Sequence, residues 1–440
     1  MTQQYFETTE TQSFPSPPAS VQTSQSIPAV VVGANANGLG VIRSLAAGKV
    51  PVVVVDDDPR RPGMHSRYAS AVTVGNTSGP ALIQGLLALR AELQENPVLF
   101  LTYDYHVHTV SKYRDQLKDS YRLRLPDHEL VCQLLHKSDF QALAEQKGFL
   151  VPRAISVQTE QDIQNLRDMR FPAIIKPGNK DLFFNNKAPR AERVFSRKEA
   201  EAACRDILPD APDLIVQEWI DGAESDIYFC LQYRGKNGET IRSFTGRKLR
   251  CWPPLTGNTL SCVAAPEASA MLEPLTTAFF DAVGFVGMGS MEFKRDRSSG
   301  KFFMIEPTVG RTDWQEEIAT VCGVNIPLTA YCYEVGLPLP ANQPTGPIIW
   351  RAPTCYWRSI LATRSFGDRG PAGAKVKRAA WRVDDPVPLF FYWGEWLRRA
   401  PKGLRRRFGQ APEGSAGPAI EAIGRQSPAL TATPEHGPGE

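Results

Sequence analysis

The sequence predicts two folded regions of different class, a doubly wound α/β domain followed by an α+β region. Three observations predict this. Between Ile27 and Asp104, apolar strands alternate with helical patterns, the rhythm of a parallel sheet with crossover helices. From about residue 126 to 340, short alternating stretches joined by polar turns read as mainly antiparallel strands, with helices interspersed. The chain has 440 residues, 42% hydrophobic and 22% charged, enough for two or three domains with their own cores.

Each element follows in order. Residues 1–26, rich in Ser, Thr, Gln and Pro, read as a disordered tail without the basic start and apolar centre of a secretory signal. Residues 27–125 form the α/β domain: "IPAVVVG" is a buried strand, "ANANGLGVIRSLAAGK" a glycine turn and amphipathic helix, "VPVVVVDDD" a strand, "ALIQGLLALRAELQEN" a helix and "PVLFLTYD" a strand ending on Asp104. Residues 126–345 form the α+β domain. It opens with a helix from Asp127 that breaks near Lys137, and continues through strands in "FPAIIKPG", "LIVQEW", "DIYFCLQY" and "ETIRSFTGRKLRCW" to a long helix in "EASAMLEPLTTAFFDAVGF" and a hairpin from Ser290 to Arg311. Residues 346–409 form an extension with an aromatic and basic segment, and 410–440, rich in Gly, Pro and Ala, read as a second disordered tail.

Composition narrows the function. A net charge of +3 gives no reason to expect a nucleic-acid partner. The eight cysteines contain no C-x-x-C pair, which fits reduced thiols in a cytosolic protein. No apolar run reaches the roughly 20 residues that a membrane span needs.

Four stretches carry chemistry. In the hairpin, if the turn centres near Ser299, Glu292 and Glu306 face each other across two strands. Like charges so placed destabilise a sheet, unless both are solvated on an exposed face or a divalent cation sits between them; Mg²⁺ is typically held by one or two carboxylates plus phosphate oxygens and waters. In "AIIKPG", Lys176 ends an apolar strand and presents an ammonium that matches a phosphate, or snorkels to solvent. "LIVQEWIDGAES" runs a strand into an acidic loop, where a free strand edge could pair with a purine and Glu224 could meet ribose hydroxyls. "GRKLR" sets Lys248 and Arg250 on one face of a strand, suited either to clamping a phosphoryl group or acyl phosphate or to a solvated edge strand whose charges discourage aggregation.

The ordered series "LLHKSDF", "FPAIIKPG", "LIVQEWIDGAESD", "GRKLR" and "GFVGMGSMEFKRD…KFFMIEPTVGR" resembles the ATP-grasp superfamily, and within it the carboxylate–amine ligase (carboligase-type) branch. The resemblance covers about residues 27–340 and implies a pre-ATP-grasp domain before a two-subdomain ATP-grasp core. It implies ATP and Mg²⁺, or Mn²⁺, as cofactors, and small carboxylate and amine substrates joined through an acyl phosphate. Position by position, Lys137 and Lys176 match the phosphate lysines. Gln217, Glu218, Trp219 and Ile220 match the adenine-binding stretch, and Glu224 or Asp226 the acidic position near the ribose. Lys248 and Arg250 match the basic strand, with Arg311 beside the acyl phosphate, and Glu292 and Glu306 match the metal-binding glutamates. The sequence departs from the family where Thr308 stands in place of an asparagine, with Asp313 a further metal ligand to consider, and where the phosphate-covering loop is poor in glycine and leaves part of its work to Lys180 or Lys187. Dimers are common among such proteins, so a homodimer is one expected state.

Other readings stand beside this one. The altered metal strand also suits an ATP-grasp module that binds nucleotide without catalysis. Gly33, Gly38 and Gly40 open a helix after a strand, as in a dinucleotide-binding oxidoreductase, but with G-x-x-x-x-G-x-G spacing rather than G-x-G-x-x-G. His106 and His108 share a face if their segment is extended, and could then hold a metal, although no third ligand is in view. The segment 389–408, aromatics followed by arginines, suits either a helix packed on the core or peripheral contact with an anionic membrane at the inner face.

Overall fold

The computed structural model describes residues 27–178, 191–352, 356–364 and 370–399. The two expected tails lie outside these residues, as do Lys180, Lys187 and most of the covering loop. The chain divides into two compact units, one ending at Trp396 and one beginning at Leu397; all three sheets belong to the first.

β1 (Ala29–Val32), α1 (Ala36–Ala46), β2 (Val52–Asp56), β3 (Ala69–Thr73), α2 (Gly79–Glu92) and β4 (Val98–Leu101) alternate as the sequence predicts. The strands form a parallel sheet in the order β3-β2-β1-β4. Its central strand is buried on both faces, which is why β1 reads as an unbroken apolar run rather than an alternating one. α3 (Asp104–Lys112) starts at the carboxyl end of β4, and α4 (Arg114–Leu117) follows.

α5 (His128–Leu135) and α6 (Lys137–Gln146) are separate helices, broken at His136. β5 (Ala154–Val157), β6 (Ala173–Pro177), β7 (Glu192–Val194) and β8 (Leu214–Glu218), with α7 (Arg197–Ile207) between the last two, make an antiparallel sheet in the order β5-β8-β6-β7. The larger sheet begins with β9 (Ile227–Arg234), β10 (Thr240–Trp252) and β11 (Asn258–Ala264). α8 (Pro266–Ala282) leads to the hairpin of β12 (Gly287–Arg295) and β13 (Phe302–Val309), and α9 (Glu317–Val321) and α10 (Ile326–Val335) follow.

The region beyond residue 346, expected as an extension, completes this sheet. β14 (Ile348–Arg351) pairs with β11, and after α11 (Tyr356–Thr363), β15 (Lys375–Arg378) pairs in parallel with β14. The order is β13-β12-β9-β10-β11-β14-β15. Apolar side chains of the first sheet and α2 share continuous clusters with those of the larger sheet and α8: Val30, Leu82 and Leu101 with Phe279 and Phe293, and Val31, Val54 and Phe100 with Phe229 and Trp350. At about 1.5–3 kcal/mol for each fully buried large side chain, such clusters fix the two sheets against each other.

α12 (Val387–Arg399) carries the aromatic segment. Tyr392 is buried against Ala36 and Ala380, and Phe391 stacks on His65, while Phe390 and Trp393 are exposed. No helix among the described residues is long and apolar enough to cross a membrane.

Candidate active site

Glu292 on β12 stands directly opposite Glu306 on β13, the relationship that alternation and the turn predict. The ladder slips by one residue just beyond this pair, at Ile305, before Phe293 resumes opposite Met304. Both glutamates line a cleft of about 460 Å³ with Lys137, Lys176, Lys248, Arg311 and Thr308. Lys248 Nζ lies 2.5 Å from Glu292 Oε2. Burial opposes the Lys248 ammonium, but Glu292, with Asp313 nearby, holds it above the usual lysine range. Burial also acts on Lys176 and leaves it below that range, against the attraction of Glu306 and Glu292.

Close packing positions the two other lysines. Lys176 is the next-to-last residue of β6 and donates to Gln217 Oε1 at 3.2 Å. Lys137 opens α6; its amide donates to the Gly178 carbonyl and its Nζ to the Pro177 carbonyl, both at 3.0 Å. Gly178 is needed here because a Cβ would sit 2.3 Å from the Asp213 carboxylate. That carboxylate is itself held at 2.5 Å by His136, the cap residue of α6. The Pro-Gly after Lys176 thus ties the two lysines into one bracket.

Gln217, Glu218, Trp219 and Ile220 all line the cleft. The expected free strand edge is absent, because β8 is interior to its sheet: the Glu218 amide donates to Arg153 and the Trp219 amide to Pro172. Glu218 Oε1 is buried and has no hydrogen-bond partner among the described residues, which is costly unless a ligand donor meets it. Arg193 lies 4.3 Å over the Trp219 ring.

Three expected residues do not line the cleft. Arg250 was expected to share the face of Lys248, but the β10–β11 register slips at Leu249, and a bulge breaks the alternation of side chains. Arg250 instead donates to Thr363 at 3.2 Å and stacks over Tyr356. Glu224 caps the amides of Cys251 and Leu255 at 3.0 and 3.1 Å. Asp226 accepts from the Ala223 amide at 2.8 Å. Both acids brace loops. Thr308 lines the cleft, yet its hydroxyl donates to Asp313 at 2.9 Å, as does that of Ser290.

Sequence reasoning missed Asp104. It opens α3 and accepts from Arg311 Nε at 2.5 Å, which with the Asp313 and Glu306 carboxylates keeps that guanidinium charged despite burial. A signal existed, since ligand sites of open α/β sheets gather at the carboxyl ends of strands and Asp104 lies just past the end of β4. Lys294 was also missed; it lines the cleft and donates to the carbonyls of Gly222 and Ala223 at 3.1 and 2.7 Å.

The N-terminal glycine turn is filled by protein. A Cβ on Gly33 would meet Thr102 Oγ1 at 2.1 Å, and one on Gly38 the Gly33 carbonyl at 1.8 Å. Asp56 accepts from the Ala34 amide at 2.7 Å. Asn35 caps α1, and residues 33–45 are buried. These glycines serve close packing of helix on strand.

Solved structures share this architecture. No family model matches the sequence, and no curated protein matches it. An N5-carboxyaminoimidazole ribonucleotide synthetase in complex with ADP superimposes with a TM-score of 0.59 at 14% identity, covering 80% of this chain and 92% of the other. A Campylobacter jejuni biotin carboxylase, solved with a β,γ-ATP ligand, gives 0.59 at 14%, covering 74% and 75%. The biotin carboxylase domain dimer of Hydrogenobacter thermophilus 2-oxoglutarate carboxylase, bound to MgADP, ADP and bicarbonate, gives 0.59 at 14%, covering 74% of each chain. The chain shares the fold of these synthetase and carboxylase structures, the ATP-grasp fold, as the motif order led one to expect.

Proposed function

We propose that the protein is an ATP-dependent carboxylate–amine ligase. The observation that carries the proposal is the opposed pair Glu292 and Glu306, set in one cleft with Lys137, Lys176, Lys248 and Arg311. Two carboxylates among several cations complement a divalent cation bound to a polyphosphate. The unpartnered Glu218 Oε1, beside Trp219 and Ile220 at another part of the cleft wall, suits the amino group of an adenine.

Glu292 and Glu306 would hold Mg²⁺, with Asp313 and Thr308 close by, and the cation would neutralise phosphate charge. Lys137 and Lys176 would hold the phosphates. Lys248 and Arg311 would steady the phosphoryl group as it passes to a substrate carboxylate. In that step a carboxylate oxygen bonds to the terminal phosphorus and ADP departs. An amine then attacks the acyl carbon, loses its proton and displaces phosphate, leaving an amide. The protein's work is positioning and charge balance, because phosphoryl transfer asks for little covalent help.

Further features support context. The described cysteines are all unpaired, in keeping with a cytosolic protein. The exposed Phe390 and Trp393, followed in sequence by basic residues to Arg407, support peripheral contact with an anionic membrane. The dimeric domain from H. thermophilus supports a homodimer. A second reading, nucleotide binding without turnover, is favoured by one observation: the Thr308 hydroxyl, standing where the family has an asparagine, is committed to Asp313.

The test is ADP release with Mg·ATP over a panel of carboxylates, with hydroxylamine as amine. The ligase reading expects ADP and hydroxamate to appear together and only when a carboxylate is supplied. Tight nucleotide binding with no ADP across the panel supports the second reading.

A further inference from the structure

We propose that His108, His128 and Cys132 form a transition-metal site of the Zn²⁺ type, apart from the cleft. His128 and Cys132 are four residues apart on α5 and so share one face. His108 comes from α3, and its ring lies 5.1 Å from that of His128. One potential ligand atom from each of the three residues lies within 4.8 Å of the other two, and all three residues are partly exposed. The histidine pair expected from an extended segment, His106 with His108, does not form: the segment is helical, and His106 is fully buried.

Hydrogen bonding prepares His128 as a ligand. The Ser111 hydroxyl donates to the His108 carbonyl at 3.0 Å and lies 2.8 Å from His128 Nδ1. With its single proton so used, Ser111 accepts from Nδ1–H. Nε2 then carries the lone pair, and it is the ring nitrogen nearer the Cys132 sulfur, at 3.6 Å against 3.9 Å for Nδ1. A tetrahedral Zn²⁺ site with ordinary Zn–N and Zn–S bonds spaces a nitrogen and a sulfur ligand by about 3.6 Å. A second group orienting a ligating histidine is the usual construction of such sites.

A thiolate with two imidazoles selects zinc or cobalt over magnesium, so this site and the carboxylate pair do not compete for one ion. Binding breaks the Cys132 S–H bond, forms a metal–sulfur bond and releases the proton to water. Burial favours the thiol and Lys112 the thiolate. Three protein ligands leave a fourth position for water. A metal there joins α3 to α5, and α3 begins with Asp104, which holds Arg311 in the cleft.

The test is titration of chelator-treated full-length protein with Co²⁺ in excess Mg²⁺, followed by absorption. The site predicts one equivalent with a thiolate-to-cobalt band in the near ultraviolet and tetrahedral bands in the visible, both displaced by Zn²⁺. Cys132→Ser should abolish the near-ultraviolet band, and His108→Asn should weaken Co²⁺ binding at least tenfold. Ser111→Ala, which spares every ligand, should weaken it less. Aqueous-like Co²⁺ spectra in the wild type would mean that Cys132 and His128 share only a hydrogen bond. An unchanged charge-transfer band in Cys132→Ser, or an unchanged Co²⁺ affinity in His108→Asn, would put the metal elsewhere. Either result overturns the proposal.

Discussion

Arg311 and Asp104, 207 residues apart, meet at 2.5 Å on the wall of the cleft. The contact joins the loop after the glutamate hairpin to the first helix beyond the parallel sheet. Both side chains are mostly buried, at 15% and 19% exposure, so neither charge is fully solvated without the other.

Asp104→Asn should therefore cost about 1.5–3 kcal/mol of stability, the range for a hydrogen bond to a charged group. The measurement is the urea midpoint, with the slope unchanged. It should weaken nucleotide binding less than loss of either glutamate does, because Asp104 acts on the cleft through Arg311.

A second long-range pair sets the position of α1. Arg43 Nε lies 3.0 Å from Asp385 Oδ2, and both side chains are almost wholly buried. Ser66 and the Arg67 amide also donate to Asp385. Asp385→Ala leaves a buried guanidinium uncompensated and should cost about 3–5 kcal/mol. Thermal unfolding checks this, and a midpoint within 1–2 °C of the wild type would contradict it.

His106 gives a pH dependence of definite sign. It is fully buried, and burial first, with Arg311 adding to it, draws its pKa down to about 3. Above about pH 6.5 the ring is neutral whether folded or unfolded, and the group has no effect on stability. Between there and about pH 3 only the unfolded chain takes up the proton, so stability falls as pH falls, by at most about 1.4 kcal/mol per pH unit from this group. His106→Leu should flatten the acid side of the stability curve measured by urea midpoints at pH 7, 6 and 5. Parallel curves for variant and wild type would remove His106 as the cause.

How much was legible depended on whether a feature was local. The facing of Glu292 and Glu306 needs only period-two alternation and a turn, and both are written in adjacent residues. The break before Lys137 and the parallel strands of the first domain are local patterns too. Arg250 was misplaced because a bulge at Leu249 breaks alternation without any glycine or proline to announce it. Glu224 and Asp226 went astray because an acid in a loop serves backbone amides as readily as a ligand. Asp104 and Asp385 find their partners across the fold, and no spacing rule connects them. His108 was read in an extended segment, so its neighbours on a second helix could not be counted.

The most direct test of the central claim is calorimetric titration of ATP, with and without Mg²⁺, into the wild type and Glu306→Gln. The account predicts binding that requires Mg²⁺ and weakens at least tenfold, about 1.4 kcal/mol, in the variant. Binding that ignores both the metal and the substitution would contradict a metal role for the Glu292–Glu306 pair. Absence of any ATP binding would contradict the nucleotide site itself.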